Sequence, residues 1–196
     1  MNPPPVRIVL ASSSAYRRAL LRRVGIECPS VPPDIDESPL PGELPLDTAR
    51  RLAFAKAQKI AERETSALII GSDQVAVLGE HVLGKPGTHA AASEQLRAMS
   101  GQAVIFHTAV CLLNAASGKV QQHCVPTIVR FRILDTGQIE RYLLHDRPYD
   151  CAGSAKIEAM GIALVESIDS DDPSALIGLP LIALIGMLRQ EGVIIP

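Results

Sequence analysis

No tryptophan occurs in the 196 residues, and aromatic side chains make up only 3% of them. A chain that is 47% hydrophobic must therefore build its core from Leu, Ile, Val and Ala. An excess of basic charge is also missing. Lys and Arg number 19 against 21 Asp and Glu, for a formal net charge of −2. That balance argues against a nucleic-acid polymer as the main partner, while leaving room for a locally basic pocket. The four cysteines, Cys28, Cys111, Cys124 and Cys151, form no C-x-x-C pair. Their spacing supports neither a zinc site nor a disulfide framework, so they read as small buried hydrophobes. No apolar run is long enough for a bilayer: "ALIGLPLIALIGML" is short, contains Pro180 and fits a buried core helix better. The opening "MNPPPV" lacks the charged and apolar regions of a signal peptide. The expectation is a soluble, cytoplasmic protein without a membrane partner.

The periodicities that are present describe one mixed α/β domain over residues 1–196. "VRIVL" (Val6–Leu10) is a short apolar run and reads as a buried strand. Ser12 or Ser14 caps a helix from about Tyr16 to Val24, stopped at Gly25. A second short strand is expected near Glu27–Val31. It leads into "PPDIDESPLPGELPL", an acidic loop with five prolines and no regular structure. Ala49, Leu52, Ala53, Lys56, Ala57 and Ile60 recur at helical steps between Leu46 and Glu64. "SALIIGSDQVAVLGEHVLGKP" holds a strand, a Gly79-Glu80 hairpin turn and a return strand. A helix follows over Ala90–Met99, then two long antiparallel strands joined at Ala115–Gly118. Another helix starts at Asp135, a strand covers Gly161–Ser167, and helix from Pro180 closes the chain. Parallel and antiparallel strands should share one sheet with helices around it.

Several segments carry chemistry. In "LASSSAYRRALL" a buried strand meets a helix start through three serines, and arginines stand where the helix dipole is already positive. Free backbone N–H groups, the dipole and the fork of Arg17 would together bind phosphate. Tyr16 beside it offers a ring on which a base could stack. Asp73 comes directly off an apolar strand in "GSDQ", and Glu37 lies in the proline-rich loop. Carboxylates converging from two segments are natural ligands of a divalent cation beside polyphosphate. Lys56, on the apolar side of its helix, either snorkels outward or meets an anion in a cleft. Lys85 stands on the rigid loop "GKPGT". "YDCAGSAKIEAMG" is rich in small residues that let a ligand approach the backbone, and carries Lys156 and Glu158.

In order, "LASSSAYRR", "DIDES", "RLAFAKA", "GSDQVAV", "GKPGT", "MSGQAVIFHTAV" and "YDCAGSAKIEAMGI" resemble the Maf family of nucleoside triphosphate pyrophosphatases. The resemblance spans nearly the whole chain. It implies two lobes around a cleft, in a fold similar to that of the inosine triphosphate pyrophosphatases. It also implies metal-dependent cleavage between the α- and β-phosphates, releasing a monophosphate and pyrophosphate. On matching positions, Ser12, Ser14, Arg17, Lys56 and Lys85 would hold phosphates. Glu37 and Asp73 would serve the metal (Mg²⁺, Mn²⁺ or Co²⁺) and the attacking water. A homodimer is a further expectation of the resemblance. The family's usual S-x-S-P reads "SSSA" here, with Ala15 in place of proline, which loosens the turn without deleting a functional group.

Tyr16-Arg17-Arg18, Gln74 and Glu158 are similar to the branch of the family that acts on 7-methyl-GTP. N7-methylation makes guanine cationic, so a tyrosine ring favours stacking and a carboxylate can neutralise it. The expectation is that Tyr16, Gln74 and Glu158 select the base. Ile157, Ala159 and Met160 depart from the branch's commoner Ser, Gly and Phe. Two alternatives stand beside this reading: a dTTP/UTP pyrophosphatase of the same fold, and a nucleotide-binding regulator of septum formation without turnover.

Overall fold

The computed structural model describes residues 6–196, so most of the "MNPPPV" start lies outside the described residues. Six strands form one sheet in the order β1-β2-β4-β5-β6, with β3 also paired to β2. They are β1 (Ile8–Ala11), β2 (Leu68–Leu78), β3 (His81–Leu83), β4 (Ala103–Asn114), β5 (Val120–Phe131) and β6 (Val165–Ser170). Five helices accompany them: α1 (Ala15–Arg23), α2 (Pro45–Ala61), α3 (His89–Met99), α4 (Thr136–Asp146) and α5 (Leu181–Gln190). Only β1 runs parallel to β2; the remaining pairings are antiparallel. Among the described residues no helix is long and apolar enough to cross a membrane.

Alternation along β2 and β4 sorts the helices between the two faces of the sheet. Ile69, Val75, Val77, Ala109 and Cys111 face the apolar stripe of α2. The intervening residues face the other way. Leu68 and Ile70, with Val110 and Leu112, pack against α1 and α5. Ala76, Val104 and Phe106, further along the same strands, pack under α3 and α4. Between these two apolar clusters lies a polar belt of Ser72, Gln74 and Thr108. The two lobes are thus two helix pairs on one sheet face, divided where the strands turn polar.

Gly71 lets α2 lie directly on β2. A Cβ at this position would stand 2.0 Å from the Ala53 carbonyl oxygen, well inside any allowed contact. On one edge β2 is paired with β4 over its whole length, from Leu68 to Leu78. On its other edge β1 ends opposite Gly71 and β3 begins opposite Ala76. That edge is left without a strand from Ser72 to Val75, a gap of about 13 Å at strand rise.

Two sequence expectations are corrected. Glu27–Val31 forms no strand, only a parallel bridge of Ser30 to Leu10; Pro29, Pro32 and Pro33 remove the donors that a ladder needs. The strand expected at Gly161–Ser167 instead covers Val165–Ser170, because Met160–Leu164 winds into a 3-10 turn. The hairpin at Gly79-Glu80, the β4–β5 pair and the helices stand where the periodicity puts them, within a residue or a few at their ends. Cys111 and Cys124 are buried, whereas Cys28 and Cys151 are half-buried; all four are free thiols.

Candidate active site

The loop after β1 is tied down by its own serines. Ser14 is the N-cap of α1, its Oγ accepting from the Arg17 N–H at 3.3 Å. Buried Ser12 accepts from the Ser14 N–H at 3.1 Å and from Arg17 Nη1 at 3.3 Å. Arg17 Nε donates to the Gly178 carbonyl at 2.7 Å. The same carbonyl lies 2.9 Å from Ser72 Oγ. Gly178 has φ 120°, a conformation that favours glycine. Burial pulls the Arg17 guanidinium below its ordinary pKa, while Asp73 and Glu37 hold it up. An arginine in that position, with two of its donors held by the protein, is aimed rather than free.

On the other face of β2, Asp73 meets α2. Lys56, 4% exposed, donates to Asp73 Oδ1 at 2.7 Å and lies 2.9 Å from Glu37 Oε2. Lys56 is on the buried stripe of α2 because it follows Ala49, Leu52 and Ala53 at helical spacing. Asp73 is two residues past Gly71, where α2 is closest to the strand. Burial raises the Asp73 pKa; Lys56 and Arg17 work against that rise, and Glu37 adds to it. Glu37 itself is half-exposed in the proline-rich loop.

The other residues singled out from the sequence fall into three places. Tyr16 leans across the cleft, its hydroxyl 3.3 Å from Asp150 Oδ2. Lys156 Nζ lies 5.7 Å from the Tyr16 ring centroid and 3.5 Å from Asp150 Oδ1. Gln74, in the polar belt, donates its amide to Thr108 Oγ1 at 2.9 Å and to the Ala175 and Leu176 carbonyls at 3.1 Å. Lys85 and Glu158 are exposed, and neither enters the Lys56–Asp73–Glu37 group or touches Tyr16. Lys85 is nonetheless on a loop held to the far lobe, through the Gly87 N–H on the Tyr149 carbonyl at 3.0 Å. The sequence reading gave Asp150 no role of its own. Asp150 is 134 residues from Tyr16, and no local pattern links them.

Among the described residues no three His, Cys, Asp or Glu cluster as a metal cage. The donors present nonetheless fit a hard divalent ion. Glu37 and Asp73 each place an oxygen within hydrogen-bonding reach of one ammonium nitrogen, so the two carboxylates converge from separate segments. One or two carboxylates, with waters and substrate phosphates completing the shell, is the usual arrangement for Mg²⁺.

Residues 7–191 match the family model described as Maf-like protein. A 7-methyl-GTP pyrophosphatase of Aromatoleum aromaticum is 56% identical over 190 residues, covering 97% of this chain and 98% of the relative. One from Thiobacillus denitrificans is 56% identical, covering 95% and 92%. One from Nitrosococcus oceani is 50% identical, covering 97% and 96%. A solved structure titled a HAM1 protein from Coxiella burnetii aligns with a TM-score of 0.46 at 19% identity, over 64% of this chain and 73% of that one. That likeness is too low to bear on the fold. Identity above one half along nearly the full length leaves no doubt of kinship: the chain belongs to the Maf family.

Proposed function

We propose that the protein hydrolyses a nucleoside triphosphate, 7-methyl-GTP, between its α- and β-phosphates, giving the monophosphate and pyrophosphate. The observation that carries this reading is the meeting of Lys56, Asp73 and Glu37 beside the open stretch of β2, with Arg17 near enough for its charge to act on Asp73. Cations and paired carboxylates gathered at one place are the equipment of phosphoryl chemistry, where positioning and charge stabilisation supply most of the rate. The relatives named 7-methyl-GTP pyrophosphatases support the choice of substrate.

In this mechanism Ser12, Ser14 and the amides of the α1 N-terminus cradle phosphate oxygens, and Arg17 clamps them from the side. Lys85 reaches the polyphosphate from the β3–α3 loop. Lys56 neutralises charge as the bridging P–O bond breaks, exchanging part of its contact with Asp73 for a phosphate oxygen. Asp73 orients the attacking water and takes its proton as the new P–O bond forms. Burial raises the Asp73 pKa, and a divalent cation beside the same carboxylate would lower it, so its main part is to orient the water. A divalent cation held by Glu37 and Asp73 would offset the charge of the phosphates and of the leaving pyrophosphate.

The test is metal-dependent pyrophosphate release from 7-methyl-GTP, GTP, dTTP, UTP and CTP. Preferred cleavage of 7-methyl-GTP is the expected result. Preference for a pyrimidine would keep the chemistry and reassign the substrate. Binding without release by folded, metal-loaded protein would establish a nucleotide-binding regulator instead.

A further inference from the structure

Lys85 reaches phosphate in the mechanism above, yet it is exposed and its place is set through its neighbours. β3 is three residues long and ends at Leu83, so the sheet releases the chain just before the lysine. Thr88 then caps α3, its Oγ1 accepting from the Ala91 N–H at 3.2 Å. Between those points, among the described residues, two hydrogen bonds reach Gly84–Gly87 from outside the loop. Gln95 Nε2 donates to the Gly84 carbonyl at 3.0 Å, and the Gly87 N–H donates to the Tyr149 carbonyl at 3.0 Å. Gly87 has φ 68°, a left-handed conformation that favours glycine.

Both bonds tie Lys85 to the segment that follows α4. Gln95 Oε1 accepts from Ser154 Oγ at 2.6 Å, and Ser154 is fully buried. One amide group therefore spans the two loops, its NH2 on Gly84 and its oxygen on Ser154, using both kinds of site an amide offers. Tyr149 is held in turn by His89, whose Nδ1 lies 3.0 Å from Tyr149 Oη and whose Nε2 lies 2.9 Å from Glu140 Oε2. A neutral imidazole protonated on Nε2 satisfies both, accepting from the tyrosine and donating to the carboxylate. Thus α3 grips α4 and the loop beyond it twice, with His89 in its first turn and Gln95 about two turns later. Lys85 sits between glycines that are both anchored to that loop. Its four-carbon stem is flexible, so only a fixed backbone can aim it.

We infer that Gln95 is a positioning residue: by yoking Gly84 to Ser154 it sets where Lys85 meets the polyphosphate, and it acts on the reaction only through that lysine. The inference rests on the pyrophosphatase reading above. A lysine held in place offsets the charge that gathers on pyrophosphate as the bridging P–O bond breaks, and displacing such a group by about 1 Å can cost roughly a hundredfold in rate. The test is a double-mutant cycle on pyrophosphate release from 7-methyl-GTP, with Gln95→Met and Lys85→Met. Gln95→Met keeps the length of the side chain and removes both amide contacts. It should lower kcat/KM by roughly tenfold to a hundredfold, with the loss in kcat, since the aimed charge answers one that grows in the transition state. In the Lys85→Met background the same change should cost no more than about twofold, because the group it positions is gone. Gln95→Glu keeps an acceptor for Ser154 but turns an oxygen toward the Gly84 carbonyl, and should match Gln95→Met. Circular dichroism and a melting curve check that each variant is folded at the assay temperature. Losses that multiply in the double variant overturn the inference, because Gln95 then supports the fold and not Lys85. A fully active Gln95→Glu overturns it as well, since the Gly84 contact is then idle. Lys85→Met with wild-type activity also overturns it, and leaves the pyrophosphatase reading standing. Wild-type protein that releases no pyrophosphate from any nucleotide overturns that reading itself, before any variant is made.

Discussion

Lys56 Nζ and Asp73 Oδ1 stand 2.7 Å apart, one on a helix and the other on a strand, joined where Gly71 lets the two backbones touch. Removing the lysine leaves a carboxylate that is 7% exposed without its main partner. Lys56→Met should therefore lower stability by about 3 kcal/mol, and Lys56→Met with Asp73→Asn should recover most of it. Burial already raises the Asp73 pKa, so in the single variant the stranded group binds a proton more tightly folded than unfolded. Its penalty is present above that raised pKa and fades as pH falls through it. Urea unfolding of both variants from neutral to acidic pH should show their gap closing on the acid side.

Gly71→Ala tests the contact itself. The added Cβ would meet the Ala53 carbonyl oxygen at 2.0 Å, a backbone atom that no rotamer change can move. A loss of about 3 kcal/mol or more is expected, at the upper end for overpacking. Activity should fall further than stability, because moving α2 draws Lys56 off Asp73. Activity at a temperature where the variant is still fully folded separates the two effects.

Arg17→Lys keeps the charge and removes the fork. A lysine cannot reproduce the Nε contact with Gly178 at 2.7 Å together with the Nη1 contact with Ser12. An expected drop of roughly tenfold to a hundredfold in kcat/KM corresponds to one charge-assisted hydrogen bond. It should fall mainly on KM if Arg17 holds ground-state phosphate.

Away from the site, Arg51 grips Glu43 with Nε at 2.6 Å and Nη2 at 2.7 Å. That grip, aided by the Leu40 N–H and Thr48, lowers the Glu43 pKa from 4.5 to about 2. A carboxylate depressed in the fold stabilises above its unfolded pKa and ceases to as pH falls through the folded one. Glu43→Gln should be less stable than wild type at neutral pH, and the difference should shrink between pH 4.5 and about 2. Paired urea midpoints across that window decide it.

Local signals in the sequence reached some of this architecture and stopped short of the rest. Gly79-Glu80 between two β-rich runs announced its hairpin, and the spacing of Ala49, Leu52, Ala53 and Lys56 put the lysine on the buried side of α2. The serines before "AYRR" announced a cap, Ser12 or Ser14, and the structure makes it Ser14. The Tyr16–Asp150 contact did not follow, because alternation and helical period say nothing about partners 134 residues apart. Gln74 was drawn to the base by its place after Asp73. On a strand, adjacent residues point to opposite faces, and the Gln74 amide reaches the carbonyls of Ala175 and Leu176. Glu27–Val31 failed for the opposite reason: its apolar pattern suits a strand, but its prolines do not.

The carbonyl of Gly178, shared by Arg17 and Ser72, has a consequence for how the molecule is made. Synthesis runs from the amino end, so Arg17 is made 161 residues before its anchor. β1 also waits for β2, its parallel partner some sixty residues later. The loop after β1 therefore lacks its strand neighbour until β2 is made, and the carbonyl that orients its arginine until later still. A nascent chain halted before Gly178 would hold the hairpins of the sheet and still lack the contact that orients Arg17. The order of synthesis thus leaves Arg17 and Ser72 without their shared acceptor until Gly178 has been made.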